Sequence, residues 1–237
     1  MLLTTKNSVR EALASGATIN KLSVLAGNRD FEIEKFIKAA RDKKIKVDYL
    51  PKQALERKFG KNQGVVAEIV DFKYSTVEEI LKRAENDLPF LLILDEINDP
   101  HNFGAIIRSA ECAGVHGIII PKDRAVPVND TVLKVSTGAT ANVPIAKVPN
   151  LVNEIEKLKK QGFWIWAAEA GGNDIYKTNL KGPVAIVIGS EGNGVRKLVK
   201  EKCDGIVSLP MFGKVNSLNA SVATGIILFE VIRQRRS

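Results

Sequence analysis

Cysteine, histidine, methionine and tryptophan each occur only twice in 237 residues, and aromatic residues make up 6% of the chain. Two cysteines, Cys112 and Cys203, exclude a disulfide-stapled scaffold; both lie in apolar segments and read as free buried thiols in a reducing compartment. With two histidines besides, the sequence is too poor in soft ligands for a thiolate or imidazole site, and no metal is expected. No apolar run approaches the ~20 residues that cross a bilayer, which excludes a spanning helix and a membrane partner. The opening Met1-Leu-Leu-Thr-Thr-Lys-Asn-Ser8 lacks the charged-then-apolar plan of a secretory signal, so a cytoplasmic protein is expected. Internal repeats and low-complexity tracts are also missing.

What the chain has is charge, unevenly spread. The net charge is +8, with 45% apolar and 26% charged residues, an ordinary globular balance. Residues 1–75 hold fifteen Lys/Arg against nine Asp/Glu, and the remainder twenty against eighteen. The basic excess therefore belongs to the first third, as in a module that holds a polyanion. A solvated lysine-rich surface gives the same numbers, so charge leaves nucleic acid and plain solvation both open.

Residues 1–70 read as a small α/β unit. A helix starts at residues 7–13, with Asn7 or Ser8 as N-cap and Glu11 placed for a capping box with Ser8. A strand over 19–25 ends at Gly27. An amphipathic helix over 31–43 has Phe31, Ile33, Phe36, Ile37 and Ala40 on its apolar side. Strands at 46–50 and 64–70 flank a short helix at 52–58. Residues 71–88 are polar, carry one helical pattern over 76–86, and read as a linker into a second domain, 89–237. That domain alternates strands (90–94, 117–121, 163–167, 183–189, 205–210) with helices (103–114, 130–136, 151–161, 194–203), which implies a mostly parallel sheet covered on both faces.

The most informative stretch is 183–229. The β-branched run Pro183-Val-Ala-Ile-Val-Ile-Gly189 reads as a buried strand. It breaks into Gly189-Ser-Glu-Gly-Asn-Gly194, whose three glycines permit a tight turn and close backbone approach to a ligand. A second strand ends at Leu209-Pro-Met211, and Ser217-Leu-Asn-Ala-Ser-Val222 opens a long apolar helix, with Ser217 as the expected N-cap. Loops at strand ends followed by a helix N-terminus make a small-molecule site in an α/β domain. The glycine spacing is G-x-x-G-x-G, not the G-x-G-x-x-G of dinucleotide-binding turns, which argues against a nicotinamide or flavin enzyme.

These segments, together with Asp99-Pro-His-Asn-Phe-Gly-Ala-Ile-Ile-Arg-Ser-Ala110 upstream, resemble in order the three motifs of the SpoU (TrmH-type) branch of the SPOUT RNA ribose 2′-O-methyltransferases. Across its length the chain is similar to the bacterial enzymes of that family that methylate a guanosine in the P-site loop of large-subunit (23S) ribosomal RNA. The resemblance implies a SPOUT-type C-terminal domain with a deep trefoil knot, preceded by a small L30e-like substrate-binding domain. It implies S-adenosylmethionine as cofactor. The backbone at Gly189, Leu209 and Leu218 would hold its adenine and ribose, with Glu191, Gly192, Met211 and Asn219 at the same site. Arg108, Asn102, Glu191, Ser217 and Asn219 match the polar positions around the reacting centre, Arg108 being the family's favoured catalytic residue. A guanidinium rarely releases its proton, so Arg108 is better suited to clamp a phosphate and polarise the hydroxyl. His101 beside it is a candidate base, or an ordinary turn residue.

In the first domain Lys43, Lys44, Lys46, Arg57, Lys58 and Lys61 are candidate RNA phosphate contacts. The last helix, residues 218–235, brings Leu218, Val222, Ile226, Phe229 and Ile232 near one face, widened by Ile227, Leu228 and Val231. That width suggests core packing plus a homodimer interface, with the 233–236 tail in solvent or near RNA. The expected activity is ribose methylation of ribosomal RNA. A tRNA ribose methyltransferase and a non-catalytic RNA-binding protein are the alternatives.

Overall fold

The computed structural model describes residues 2–15, 18–69, 72–84, 87–214 and 217–236, without the side chain of Ser15. The expected element ends at Val70, Asn86 and Asn216 lie outside the described residues. The chain divides into two compact units, Met1–Lys73 with Pro127–Asp130, and Tyr74–Val126 with Thr131–Ser237.

In the first unit the order is β1 (Leu2–Leu3), α1 (Lys6–Ser15), β2 (Ile19–Leu25), α2 (Phe31–Asp42), β3 (Lys46–Leu50), α3 (Lys52–Phe59) and β4 (Val65–Ile69). The sheet runs β1-β4-β2-β3, with β2 and β3 parallel and the other pairs antiparallel. Ile33, Phe36 and Ala40 of α2 pack on Leu22, Val24, Val65 and Ala67 of the sheet. Each large side chain so buried stabilises the unit by roughly 1.5–3 kcal/mol before its entropy cost. Two expectations fail here. Phe31 is not core but 70% exposed, with the Lys35 ammonium 4.4 Å from its ring centre. The cap of α1 is Thr5, whose hydroxyl accepts the Ser8 N–H at 3.3 Å, so the helix starts one residue earlier than Asn7 and Ser8 lies inside it.

The second unit contains α4 (Val77–Arg83), β5 (Phe90–Leu94), α5 (Pro100–Cys112), β6 (Gly117–Pro121), α6 (Asp130–Val135), β7 (Ile145–Val148), α7 (Leu151–Lys160), β8 (Trp164–Asp174), β9 (Val184–Ile188), α8 (Lys197–Lys200), β10 (Gly205–Ser208) and α9 (Ala220–Arg236). Six strands pair in the order β10-β8-β9-β5-β6-β7, all parallel. All residues of β5 and β9 are buried, as required of strands covered on both faces. Leu91, Ile93, Ala185 and Val187 face a layer of α4, α7 and α8. Period-2 alternation sends Phe90, Leu92, Val184 and Ile186 to the opposite face, where the Arg235 guanidinium of α9 stacks 5.1 Å from the Phe90 ring centre.

Helix α4 falls in the stretch expected to be a linker. Thr76 and Glu79 close a capping box, and Val77 and Ile80 enter the core, so the second unit begins at Tyr74 rather than Pro89. Helix α5 begins at Pro100, not Phe103, because Asp99 accepts the His101 and Asn102 N–H groups and proline suits the first helical position. The 233–236 tail is not free in solvent. Gln234 is buried, and Arg235 donates to the Leu88, Pro89 and Gly182 carbonyls at 2.8–3.0 Å. Cys112, expected to be buried, is exposed. Cys203 is partly buried, and desolvation pushes its thiol up to about 12. No helix among the described residues is long and apolar enough to cross a membrane.

Candidate active site

The chain leaves β9 at Gly189 and turns back at once. Ser190 and Gly194 exchange two backbone hydrogen bonds, 3.1 and 2.9 Å, which close a loop with Glu191, Gly192 and Asn193 at its tip. A Cβ on Gly189 would lie 2.0 Å from the Gly194 carbonyl carbon, so any side chain there would force the loop open. Gly194 has φ +65, and a Cβ on it would lie 2.6 Å from Oε1 of Glu169 on β8. Glu169 is held in turn by the Lys200 ammonium at 2.5 Å. Glycine is therefore required at both ends of the loop.

This loop forms one wall of a cleft of about 620 Å³ at the carboxyl ends of β9 and β10 and the middle of β8. Gly189, Glu191, Gly192, Leu209, Met211, Leu218 and Asn219, the expected cofactor residues, all line it, as does Ser217. The volume lies within the usual range for a small-molecule site, and backbone groups alternate with Ile188, Leu209, Met211 and Ile227. That combination fits an adenosyl group: apolar surface for a base and N–H and C=O groups for hydroxyls. Glu169 lines the same cleft and was missed in the sequence, because its place depends on the pairing of β8, not on a local motif.

At the rim three side chains from three segments close a triangle. Asn102, buried on α5, donates through Nδ2 to Glu191 Oε1 at 2.8 Å. Asn219 donates to the same oxygen at 2.7 Å and to Asn102 Oδ1 at 3.0 Å. Its own Oδ1 accepts the Ser221 and Val222 N–H groups at 2.9 and 3.3 Å. Asn219 is therefore the N-cap of α9. Ser217, expected in that role, lies outside the first turn and is one of the residues lining the cleft. One asparagine both starts the helix and ties it to the other two motif segments.

Arg108 is placed differently. Six residues beyond Asn102 on α5, it is turned about 240° around the axis and about 9 Å along it. It is exposed, does not line the cleft, and makes no hydrogen bond or ion pair among the described residues. Its neighbour Ser109 faces α9, with Oγ 3.6 Å from where a Cβ of Gly225 would be. His101 is exposed in the first turn of α5, its N–H bound to Asp99.

Behind the triangle lies a second feature that local sequence did not reveal. Asp95, wholly buried after β5, accepts the Arg196 backbone N–H at 2.9 Å, its Nε at 2.8 Å and its Nη2 at 2.7 Å. The pairing raises the Arg196 pKa above its ordinary value, chiefly through the hydrogen bond to Asp95. This strut joins the segment before Asn102 to the segment after Glu191. Among the described residues no group of three or more His, Cys, Asp or Glu side chains gathers as a metal site.

The six basic residues expected to touch RNA all lie in the first unit, but not in one state. Lys43 donates to the Leu13 carbonyl, Lys46 approaches Asp48 at 3.9 Å, and Lys58 lies 4.0 Å from Glu68 and 4.7 Å from the Phe59 ring centre. Lys44, Arg57 and Lys61 are exposed and have no partner among the described residues. On α9, Ile227, Leu228 and Val231 are buried, whereas Val222, Ile226 and Phe229, with Leu218 just before the helix, are exposed, Val222 and Phe229 by half. The broad apolar face is thus two faces, one in the core and one outside.

Comparison with known proteins agrees with this geometry. Residues 89–229 match the SpoU rRNA methylase family, and residues 6–75 match the family of RNA 2′-O ribose methyltransferase substrate-binding domains. A Bacillus subtilis protein, YacO, assigned to the TrmH family of tRNA/rRNA methyltransferases, is 44% identical over 235 residues, covering 97% of this chain and 94% of its own. A Staphylococcus saprophyticus protein with the same assignment is 43% identical over 234 residues, with the same coverage. Among solved structures, the SpoU methyltransferase AviRb of Streptomyces viridochromogenes, in complex with AdoMet, superposes with a TM-score of 0.63 at 25% identity, covering 100% of this chain and 90% of its own. A TrmH/SpoU tRNA-modifying enzyme of A. aeolicus is 30% identical, with a TM-score of 0.58, over 67% of this chain and 83% of its own. The chain belongs to the SpoU family of RNA methyltransferases.

Proposed function

We propose that this S-adenosylmethionine-dependent RNA methyltransferase modifies the ribose 2′-hydroxyl of a guanosine in the P-site loop of large-subunit ribosomal RNA, working as a homodimer. The observation that carries the ribose chemistry is the Asn102–Glu191–Asn219 triangle at the rim of a cleft floored by glycine-loop backbone. Ribosomal RNA is favoured over tRNA by the separate first unit, whose residues 6–75 match a substrate-binding family, whereas the tRNA-modifying relative aligns with 67% of this chain. The exposed stripe Leu218, Val222, Ile226 and Phe229 supports the homodimer, since an apolar helix face of that kind is a usual interaction surface. The deep trefoil knot belongs to the same reading, supported by the crowding of residues 189–194, 209–211 and 217–222 around one cleft.

Bound S-adenosylmethionine supplies an activated methyl group on a sulfonium. In that reaction the chain would hold the 2′-hydroxyl in line with the methyl group, and the hydroxyl proton would pass to water at the exposed rim beside Glu191. The chain's task is therefore alignment and proton removal. Gly189, Leu209 and Leu218 present backbone groups to the adenosyl moiety, and the triangle fixes the loop and helix between which the hydroxyl enters. Arg108, exposed outside the cleft, clamps an RNA phosphate and keeps its own proton.

Transfer of labelled methyl to unmodified ribosomal RNA, mapped by alkaline hydrolysis, tests this directly. A methylated 2′-oxygen does not attack its phosphate, so one missing cleavage band is expected, at a guanosine. Label confined to tRNA would move the substrate, and label in alkali-sensitive RNA would overturn the ribose chemistry. Arg108→Ala is expected to abolish transfer and His101→Ala to retain it; the reverse would make the histidine the base.

A further inference from the structure

Both tryptophans of the chain, Trp164 and Trp166, stand two residues apart on β8. Ile165 and Ala167 between and after them face the core, so the two indoles share the opposite side of the strand. Together they border a crevice of about 620 Å³, separate from the cofactor cleft, with Asn173, Lys177 and Asn179 among its other walls. Trp164 is 57% exposed, a large flat surface left to solvent. Trp166 is fixed beneath β10: a Cβ on Gly205 would fall 2.4 Å from its Cζ3, and its indole N–H is shielded from water without a partner. The Asn173 side chain makes no hydrogen bond among the described residues, and Asn179 spends only its side-chain Oδ1, on the Lys181 N–H at 3.1 Å. Lys177 is exposed, with Asp174 3.7 Å away.

An exposed ring, unspent amides and a nearby cation are the elements with which proteins hold an unstacked base: a π-face to stack on, donors and acceptors for its edge, and a charge for its phosphate. A purely apolar ligand would make no use of the Asn173 amide or of the Asn179 Nδ2 donor, and a free anion would have no use for the ring. We propose that this crevice binds an unpaired nucleobase of the RNA substrate, stacked on Trp164, with Asn173 and Asn179 at its edge and Lys177 toward its phosphate. Trp164 is four residues from Ala168, which lines the cofactor cleft, or about 13 Å along the strand. The base is therefore a neighbour of the methylated nucleotide on the same RNA, not the methylated nucleotide itself. The inference rests on the reading that the chain acts on RNA.

Because no tryptophan lies elsewhere, tryptophan emission of the full-length protein, excited beyond the tyrosine band, reports on this crevice. Titration with an unstructured RNA dodecamer is expected to quench emission saturably. Trp164→Ala should weaken that RNA by about 5- to 150-fold, the range by which stacking platforms respond to alanine. It should leave S-adenosylmethionine affinity unchanged and the salt slope of RNA binding unchanged, since no phosphate contact is removed. Trp164→Phe, which keeps a ring, should recover most of the affinity. Wild-type protein that binds and methylates RNA with no change in emission, and with Trp164→Ala equal to it, overturns the crevice while leaving the methyltransferase reading intact. Emission that changes with protein concentration in the absence of RNA, and not with RNA, assigns the surface to a second copy of the chain and likewise overturns it. Failure of every variant to bind RNA at all would remove the RNA reading and this inference with it.

Discussion

The two units use charge in opposite ways. The first carries most of the net positive charge, yet half of its candidate RNA residues are engaged: Lys43 with a carbonyl, Lys46 and Lys58 with carboxylates. The second is nearly balanced in charge, yet it holds a wholly buried Asp95–Arg196 pair and a cleft built mostly from backbone and neutral side chains. Surface lysines make weak, screened contacts that position a polyanion. Buried pairs and capped loops hold chemistry in place. On the proposed function, charge density marks the unit that would hold RNA, and polar satisfaction marks the unit that would modify it.

The strongest test of that contrast is Arg196→Met. It leaves the Asp95 carboxylate buried without its partner, and loss of one member of a buried pair costs about 3–5 kcal/mol. Urea unfolding should show a loss of that size in the second unit, whereas in the first unit no substitution of Lys44, Arg57 or Lys61 should cost more than ~0.5 kcal/mol. A loss below 1 kcal/mol for Arg196→Met would show that the strut carries little load.

Next comes Asn102→Ala, which removes one corner of the triangle but keeps the cap of α9. Small displacements of an aligned hydroxyl lower rates by about 100-fold, and a fall of that order in methyl transfer is expected, with RNA affinity unchanged in a filter-binding assay. Equal losses in both would make the triangle a binding device and blur the division between the units.

The smallest effect concerns pH in the first unit. The Asp48 pKa is held below its ordinary value chiefly by the hydrogen bond from Lys21, and the Lys21 pKa is raised chiefly by the same bond. For Asp48 the contribution is present above the unfolded carboxylate value near ~3.9 and is lost as pH falls through the lower folded one. For Lys21 it is complete below ~10.4 and is lost as pH rises through the raised folded value. Asp48→Asn should therefore flatten both limbs of the stability profile of the first unit. The flattening on the acid side should be partial, because Asp30, whose pKa is lowered chiefly by Lys6, remains. Unchanged acid and alkaline limbs would show the pair to be solvent-screened.

Much of the site was legible in advance, for a physical reason that varies from residue to residue. Gly189 and Gly194 announce their loop because no other residue tolerates the approach, and Asp99-Pro100 announces a helix start because proline fits only there. Ser217 and Asn219 are both good capping residues, so local chemistry did not choose between them. The choice came from Asn102 and Glu191, which hold the Asn219 amide and so set the first turn at Ala220. The polar stretch at 71–88 looked like a linker because Val77 and Ile80 are the buried residues of its helix, with Leu81 packed beside them, too few for a visible apolar stripe. Arg235 looked like a solvated tail residue because nothing local shows that three carbonyls await it.

By itself the sequence determined the family, the parallel α/β plan and the loops that line the cleft, because periodicity, glycine placement and motif order are local properties of a chain. Only the tertiary structure decided that Asn102, Glu191 and Asn219 share one oxygen, that Glu169 and Arg196 support the loop from behind, and that α9 presents two apolar faces rather than one. Those are relations between segments up to 117 residues apart, and they exist only once six strands have taken their order in the sheet.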